Sequence, residues 1–223
     1  FPGWIDGFKV ADPLIIAYGR GQLPDFPGLP DSVLDVIPVD FVVNATIAAA
    51  ANPPERTTPQ YFQVVSGASN PLPFHAMYGN VREYFLQNPL PSEDGDVAVP
   101  TWKFPGEARV ERELLDAEQR LAKADQRVNT MRGSKRSRRI VDQIQKAGAD
   151  LEVLRGFTEL YRAYVQSELI FDDTNTRALD LALPAEIRAD LGFDVTDIDW
   201  TDYFQRVKFP AITTITSAFG SGP

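Results

Sequence analysis

The side chains that could do chemistry are few, and their spacing excludes more than it allows. The 223 residues hold one histidine, His75, and no cysteine. That removes a thiolate nucleophile, a disulfide, a thiolate or multi-histidine metal site, and any Ser-His-Asp triad away from residue 75. His75 follows Asn70-Pro71-Leu72-Pro73-Phe74 at a predicted helix start. A ring nitrogen there acts as a general base or engages backbone groups, and the structural role is favoured. Paired acids at Asp94/Asp96, Asp172/Asp173 and Asp197/Asp199 have the right type for acid–base work or an oxygen-ligand site. They fall at turns and caps without a convergent partner, so capping is their expected role. Asp40, between an apolar run and a helix, suits a helix N-terminus.

Dinucleotide chemistry would need a glycine loop that opens a helix directly after a strand. Gly19-Arg20-Gly21 is followed by Gln22-Leu23-Pro24-Asp25-Phe26-Pro27, which opens no helix. A tyrosine with a lysine four residues on is also missing: Tyr78 meets Arg82 there, and Tyr203 reaches Lys208 only at the fifth residue. No catalytic residue, cofactor-binding residue or metal ligand is therefore assigned within this chain. One charged cluster remains, Arg132-Gly133-Ser134-Lys135-Arg136-Ser137-Arg138-Arg139, with five cations in eight residues. It reads as a solvated turn or as a contact for anionic headgroups or the phosphates of a CoA ester.

The elements that must carry these groups change character along the chain. Leu14-Ile15-Ile16-Ala17-Tyr18, Val36-Ile37-Pro38-Val39 and Tyr61-Phe62-Gln63-Val64-Val65 are strand-like in length and branching, and Val39 to Ala45 leads into an Ala-rich helix ending near Asn52-Pro53-Pro54. Phe74, Met77, Tyr78, Val81 and Phe85 recur at helical steps. Residues 1–105 are therefore expected to be α/β. From Glu107, Val110, Leu114, Ala117, Leu121, Ala124 and Val128 form a narrow stripe that Ile140, Ile144, Ala147, Leu151 and Leu154 repeat. This pattern predicts an antiparallel helical hairpin with the basic cluster at its tip, inside a mainly helical second domain over 106–223. Asp173 or Thr174 is expected to cap the helix that follows.

Composition bounds the partners. A net charge of −9 and a pI near 4.7 argue against nucleic acid. The longest apolar stretches, such as Phe41 to Ala51, are interrupted by Asn44 and Thr46 and too short to span a bilayer. The absence of cysteine is compatible with a reducing compartment. The chain opens on Phe1-Pro2-Gly3-Trp4-Ile5-Asp6 with no initiator Met, and the simplest expectation is that it belongs to something longer.

Three segments of the first half, Phe1-Pro2-Gly3-Trp4-Ile5-Asp6, Ile37-Pro38-Val39-Asp40-Phe41-Val42-Val43-Asn44-Ala45 and Val65-Ser66-Gly67-Ala68-Ser69-Asn70-Pro71, resemble the alcohol-forming fatty acyl-CoA reductases. Phe171-Asp172-Asp173-Thr174-Asn175-Thr176-Arg177, Phe193-Asp194-Val195 and Asp199-Trp200-Thr201-Asp202-Tyr203-Phe204 resemble the male-sterility-type C-terminal region of that family. The resemblance implies the substrate-side part of an extended Rossmann-type short-chain reductase followed by its helical C-terminal region. It implies NADPH, held mainly by an upstream Rossmann half, and long-chain acyl-CoA as substrate, reduced to fatty aldehyde or alcohol. The chain alone would be inactive. By the same resemblance Phe1, Pro2, Trp4 and Ile5 line the acyl pocket and the enzyme is cytoplasmic; the charged hairpin and its basic tip depart from the shorter linker of many members, and peripheral membrane contact through Arg132–Arg139 is expected from the five cations alone. Two alternatives stand beside this: the thioester-reductase domain of a carrier-protein-dependent enzyme, which lacks the Asp-Trp-x-x-Tyr-Phe tail, and a non-catalytic docking module.

Overall fold

Helix starts decide much of this architecture. The computed structural model describes residues 3–7, 11–21, 29–53, 59–92, 95–96, 99–101, 107–129, 140–141, 144–145, 147–149, 151–152, 155–156, 159 and 169–219. The first element is helix α1, Asp12–Gly19, where the apolar run predicted a strand. Asp12 and Pro13 occupy its first turn, and this pairing favours a helix start. A five-residue apolar run has no periodicity strong enough to decide between the two.

Helix α2, Val39–Ala51, begins directly after Pro38, whose φ of −59° and ψ of 141° set an extended entry. It closes on Asn52, whose Nδ2 donates to the Ala48 carbonyl at 2.9 Å. Helix α3, Phe74–Gln87, bears out its apolar spacing, with Phe74, Met77, Tyr78, Val81 and Phe85 all buried. The expected strand Val36–Val39 is extended backbone running into α2. Tyr61–Val65 forms no strand.

The sheet content of the described residues is two antiparallel pairs. Strand β1, Val33–Leu34, pairs with β2, Leu72–Pro73, in the register Val33 to Pro73 and Leu34 to Leu72. Strand β3, Pro91–Ser92, pairs with β4, Gly95–Asp96. The molecule is thus mostly helical, and the α/β character expected of residues 1–105 is confined to these short ladders among the described residues.

The chain divides into two compact units. One comprises Phe1–Phe8, Pro30–Tyr84 and Ser167–Pro223; the other comprises Lys9–Leu29 and Phe85–Gln166. In the second, Tyr18 is fully buried and its hydroxyl donates to the Pro100 carbonyl at 2.6 Å. Helix α4, Glu107–Asn129, and the helical residues described between 140 and 159 run antiparallel. Glu118 pairs with Arg155 at 2.7 Å while Leu121 lies against Gly148. A groove of about 430 Å³ runs between them, lined by Leu121, Ala122, Ile144 and Leu151 among others. The basic segment 132–139 lies outside the described residues, as do Phe1 and Pro2.

The first unit holds the C-terminal helices: α5, Thr174–Leu181; α6, Ala185–Leu191; and a 3-10 turn, Val195–Asp197. A continuous helical run follows, made of α7, Trp200–Asp202, a π-helical stretch, Tyr203–Lys208, and α8, Phe209–Phe219. Its core includes Ala45 and Ala48 of α2 packed with Leu179 of α5 and Phe193. Among the described residues no helix is long and apolar enough to cross a membrane.

Candidate functional site

Two glycines shape the strip that carries Trp4. Gly3 has φ +77° and Gly7 has φ +69°, a left-handed conformation that glycine adopts without the steric cost other residues meet. At Gly3 a Cβ would stand 3.5 Å from the Val207 carbonyl oxygen and 3.6 Å from the Ala211 Cβ. The strip therefore rests on the helical run at Tyr203–Phe219. Trp4 projects outward with 64% of its surface exposed, and Ile5 is half-buried. Of the four expected pocket residues, Trp4 and Ile5 are placed here, and Phe1 and Pro2 lie outside the described residues.

The helical run that meets Gly3 also carries an aromatic cluster. Phe204 stacks on Phe209 with ring centroids 5.1 Å apart, Trp200 stacks on Phe204 at 6.1 Å, and Tyr84 tilts onto Phe209 at 5.3 Å. Phe209 and Ile212 are fully buried. Gln205 Nε2 donates to the Asn80 carbonyl at 2.8 Å, and the Tyr84 and Thr213 hydroxyls meet at 3.0 Å. The π-helical stretch shifts which residues face inward along this run, and such segments recur at functional sites.

The quoted motifs hold one another in place. Asn70 Nδ2 donates to the carbonyls of Val195 and Ile198 at 2.8 and 2.9 Å, while the Asn70 carbonyl accepts from Trp200 Nε1 at 3.2 Å. Asp35 Oδ1 accepts from the amides of Ser66 and Gly67 at 2.9 and 2.7 Å, which fixes the loop leading to Asn70. On the other side, Asn175 Nδ2 and Thr176 Oγ1 donate to the carbonyls of Tyr61 and Gln63 at 3.0 and 2.7 Å. Alternate carbonyls of an extended segment point the same way. The N-terminal side chains of α5 thus stand where a neighbouring strand's amides would.

A carboxylate–guanidinium network secures the loop after α6. Asp180, fully buried, accepts from Arg188 Nε and from the Phe193 amide, the latter at 2.7 Å. Asp194 accepts from the Thr196 amide at 3.0 Å and its hydroxyl at 2.8 Å, with Arg188 Nη2 at 3.4 Å and Arg177 Nε at 3.9 Å. Burial pushes the Asp194 carboxyl up, but the Thr196 hydrogen bonds and the Arg177 and Arg188 charges together outweigh it. The carboxyl is held below its ordinary value of 3.8.

The remaining candidates settle into structural contacts. His75 Nδ1 lies 2.9 Å from the Pro30 carbonyl and 3.5 Å from Asp31 Oδ1 at the entrance to α3. Asp173 holds the N-cap position of α5, as expected, but makes no side-chain cap bond; the carboxylate that accepts from the Thr174 amide, at 2.9 Å, is that of Asp172. Asp173 Oδ2 is buried with no hydrogen-bond partner among the described residues. Asp199 accepts from the Asp202 amide at 2.9 Å and caps α7. Asp40 is exposed in the first turn of α2, whose N-cap position is held by Pro38; its negative charge suits the helix dipole there. Gly19-Arg20-Gly21 closes α1 instead of opening a helix. It therefore presents no helix N-terminus to a pyrophosphate. Among the described residues no three His, Cys, Asp or Glu side chains converge as metal ligands.

The site so built offers an exposed indole on a strip seated against the helical run at Tyr203–Phe219, suited to apolar contact. Residues 1–46 match the family described as Male sterility protein. The whole chain aligns with named enzymes: 33% identity over 96% of its length with "Probable fatty acyl-CoA reductase 4" of Arabidopsis thaliana. It shares 32% over 95% with "Fatty acyl-CoA reductase 2, chloroplastic" of the same plant, and 30% over 95% with "Alcohol-forming fatty acyl-CoA reductase" of Simmondsia chinensis. The chain is related to the fatty acyl-CoA reductases. It spans 44%, 35% and 43% of the lengths of these three relatives, less than half of each. Three of the segments that resemble the reductases in sequence, 65–71, 193–195 and 199–204, meet through Asn70. Sequence reasoning missed Asp180 and Arg188: an acid in Asp180-Leu181-Ala182-Leu183-Pro184 reads as an ordinary helix-surface residue, and the pairing across the following turn leaves no periodic signal.

Proposed function

We propose that this chain is the C-terminal, substrate-side portion of an NADPH-dependent fatty acyl-CoA reductase acting on long-chain acyl-CoA. The observation that carries the reading is alignment of nearly the whole chain with enzymes named for that reaction. The reaction class adds a hydride and a proton to the thioester carbonyl and releases the CoA thiol, giving an aldehyde that a second hydride and a second proton turn into the alcohol.

The described residues do not fit a dinucleotide site of their own, since Gly19-Arg20-Gly21 ends a helix and no Tyr-x-x-x-Lys pair occurs. NADPH is therefore assigned to the Rossmann half outside this chain, and no step is routed through residues here. This chain's part is to bind and orient the acyl group. Trp4, with Ile5, Phe1 and Pro2, forms the apolar wall, where an indole is well suited to covering a methylene chain. The basic segment Arg132–Arg139 rests on anionic headgroups at the cytoplasmic face of a membrane, a placement supported by its five cations and by the insolubility of long acyl chains.

The test joins the chain behind the dinucleotide-binding half of the Arabidopsis relative and follows NADPH oxidation with palmitoyl-CoA. Turnover is expected, and Trp4→Ala should raise KM and shift chain-length preference while melting stays unchanged. Absence of turnover in a folded, NADPH-binding polypeptide would overturn the assignment; unchanged KM and chain-length preference in Trp4→Ala would remove Trp4 from the pocket.

A further inference from the structure

The helical hairpin of the second unit buries its apolar stripe at one end and leaves it open further along. Leu114 of α4 is 4% exposed, whereas Leu121, two turns on, and Ile144 and Leu151 opposite are only half-buried. These three line the groove of about 430 Å³ together with two residues that add little bulk, Ala122 and Gly148. At Gly148 a Cβ would stand 3.2 Å from Leu121 Cδ2, so glycine lets the two helices approach closely at the groove. Two helices cannot by themselves enclose a repeating 4-3 stripe, and an apolar groove between helices takes the apolar face of another helix.

Charge selects what lies there. The groove carries the carboxylates of Glu118, Asp125 and Glu152 against a single guanidinium, Arg155, and Glu118 at 2.7 Å and Glu159 at 3.7 Å already hold that guanidinium. We propose that the groove is a docking site for a basic amphipathic helix of a partner protein. Its aliphatic side chains, spaced i, i+4 and i+7, rest on Leu121, Ile144 and Leu151, and its flanking lysines or arginines face Asp125 and Glu152. Between Glu118 and Asp125 helix α4 advances about 10 Å, so about two turns of the partner are held. A fatty acid or a CoA ester fits poorly, because its negative head would meet three carboxylates. A second copy packed groove to groove would set Glu118, Asp125 and Glu152 against their own counterparts, the like-charge contact by which interfaces reject a wrong partner. The site is separate from the acyl-CoA reading above, since none of its residues belongs to the strip that carries Trp4.

The probe is a labelled synthetic helix with leucines at those spacings and lysines beside them, titrated against the 223-residue chain by fluorescence anisotropy. It should bind, and the same peptide with glutamates for the lysines should bind more weakly by about tenfold or more, a gap that added salt narrows. Asp125→Lys combined with Glu152→Lys, both at exposed positions, should reverse that order with helical content by circular dichroism unchanged. Ala122→Trp, which fills the groove from an exposed position without altering its charge, should weaken the lysine peptide by about tenfold. A peptide of the same composition with its leucines scattered around the helix should not bind, which separates the groove from the chain's net charge of −9. Failure of the lysine peptide to bind, equal binding of the lysine and glutamate peptides or of the ordered and scattered ones, or binding that neither variant changes would each overturn the site. Self-association of the chain in sedimentation that Ala122→Trp abolishes would give the groove to a second copy and overturn it as well.

Discussion

Asp180 is the residue on which the loop after α6 depends most directly. Its carboxylate is fully buried and serves both the Arg188 guanidinium and the Phe193 amide. Removing one partner of a buried ion pair strands the other in a poor solvent. Asp180→Ala is expected to cost about 2–3 kcal/mol in urea unfolding, below the roughly 3–5 kcal/mol usual for a fully buried pair because Arg188 is partly solvated. A loss under about half a kcal/mol would mean that water replaces the carboxylate freely. Asp194 differs because the cause of its depressed value is known. The Thr196 hydrogen bonds and two arginine charges favour its ionised form in the fold. The contribution is fully present above the unfolded-state value and is lost as pH falls through the lower folded value. The stability gap between the native chain and Asp194→Asn should therefore be complete at neutral pH and begin to close only below the ordinary value of 3.8. Unfolding midpoints of both proteins at neutral and acid pH check this; a gap independent of pH would assign the effect to packing alone.

At the scale of elements, α1 and α3 meet at a contact that leaves no room for a methyl group. A Cβ on Gly19 would stand 2.6 Å from two carbons of the Phe85 ring, and Phe85 is almost wholly buried. Ala normally favours a helix over Gly by about 1 kcal/mol, but overpacking costs about 1–3 kcal/mol. Gly19→Ala should therefore lower the melting temperature, and Phe85→Leu in the same chain should recover part of the loss. An unchanged or raised melting temperature would show that the ring moves freely. The same elements show what the sequence discloses. The steps of Phe74, Met77, Tyr78, Val81 and Phe85 were sufficient to place α3 and its buried face, and the repeated stripe through Leu114 and Leu121 was sufficient for the antiparallel pairing with Gly148. Leu14 to Tyr18 was misleading because a short, continuous apolar run fits a buried strand and a buried helix equally well. The better cue was Asp12-Pro13 just ahead. Tyr61–Val65 has strand composition, yet its carbonyls are met by Asn175 and Thr176 side chains over a hundred residues away, a partnership that local spacing cannot disclose.

At the scale of the molecule, the unit that holds the candidate site is assembled from chain segments separated by more than eighty residues. Pro30–Tyr84 and Ser167–Pro223 both belong to it, and their union depends on a few directional bonds: Asn70 to Val195 and Ile198, Trp200 to Asn70, and Thr176 to Gln63. The motif order along the sequence was readable, but the convergence of the motifs was not, since hydrogen bonds between distant side chains and backbone follow no period. The second segment also supplies Leu179 and Phe193, against which Ala45 and Ala48 of α2 are buried. A chain ending at residue 166 would strip Leu179, Leu183 and Phe193 from this inner face and leave only Phe62 and Val64 beside it from outside the helix, too little to hold a helix that is too short to persist alone in water. Hydrogen exchange over Val39–Ala51 is the appropriate measurement, because it reports opening of one element. In the 223-residue chain the amides of the packed turns should exchange slowly; in the truncated chain they should exchange close to the rate of an unfolded peptide. Protection retained after truncation would mean that contacts within residues 30–84 suffice to hold α2, and that the C-terminal helices decorate the site without building it.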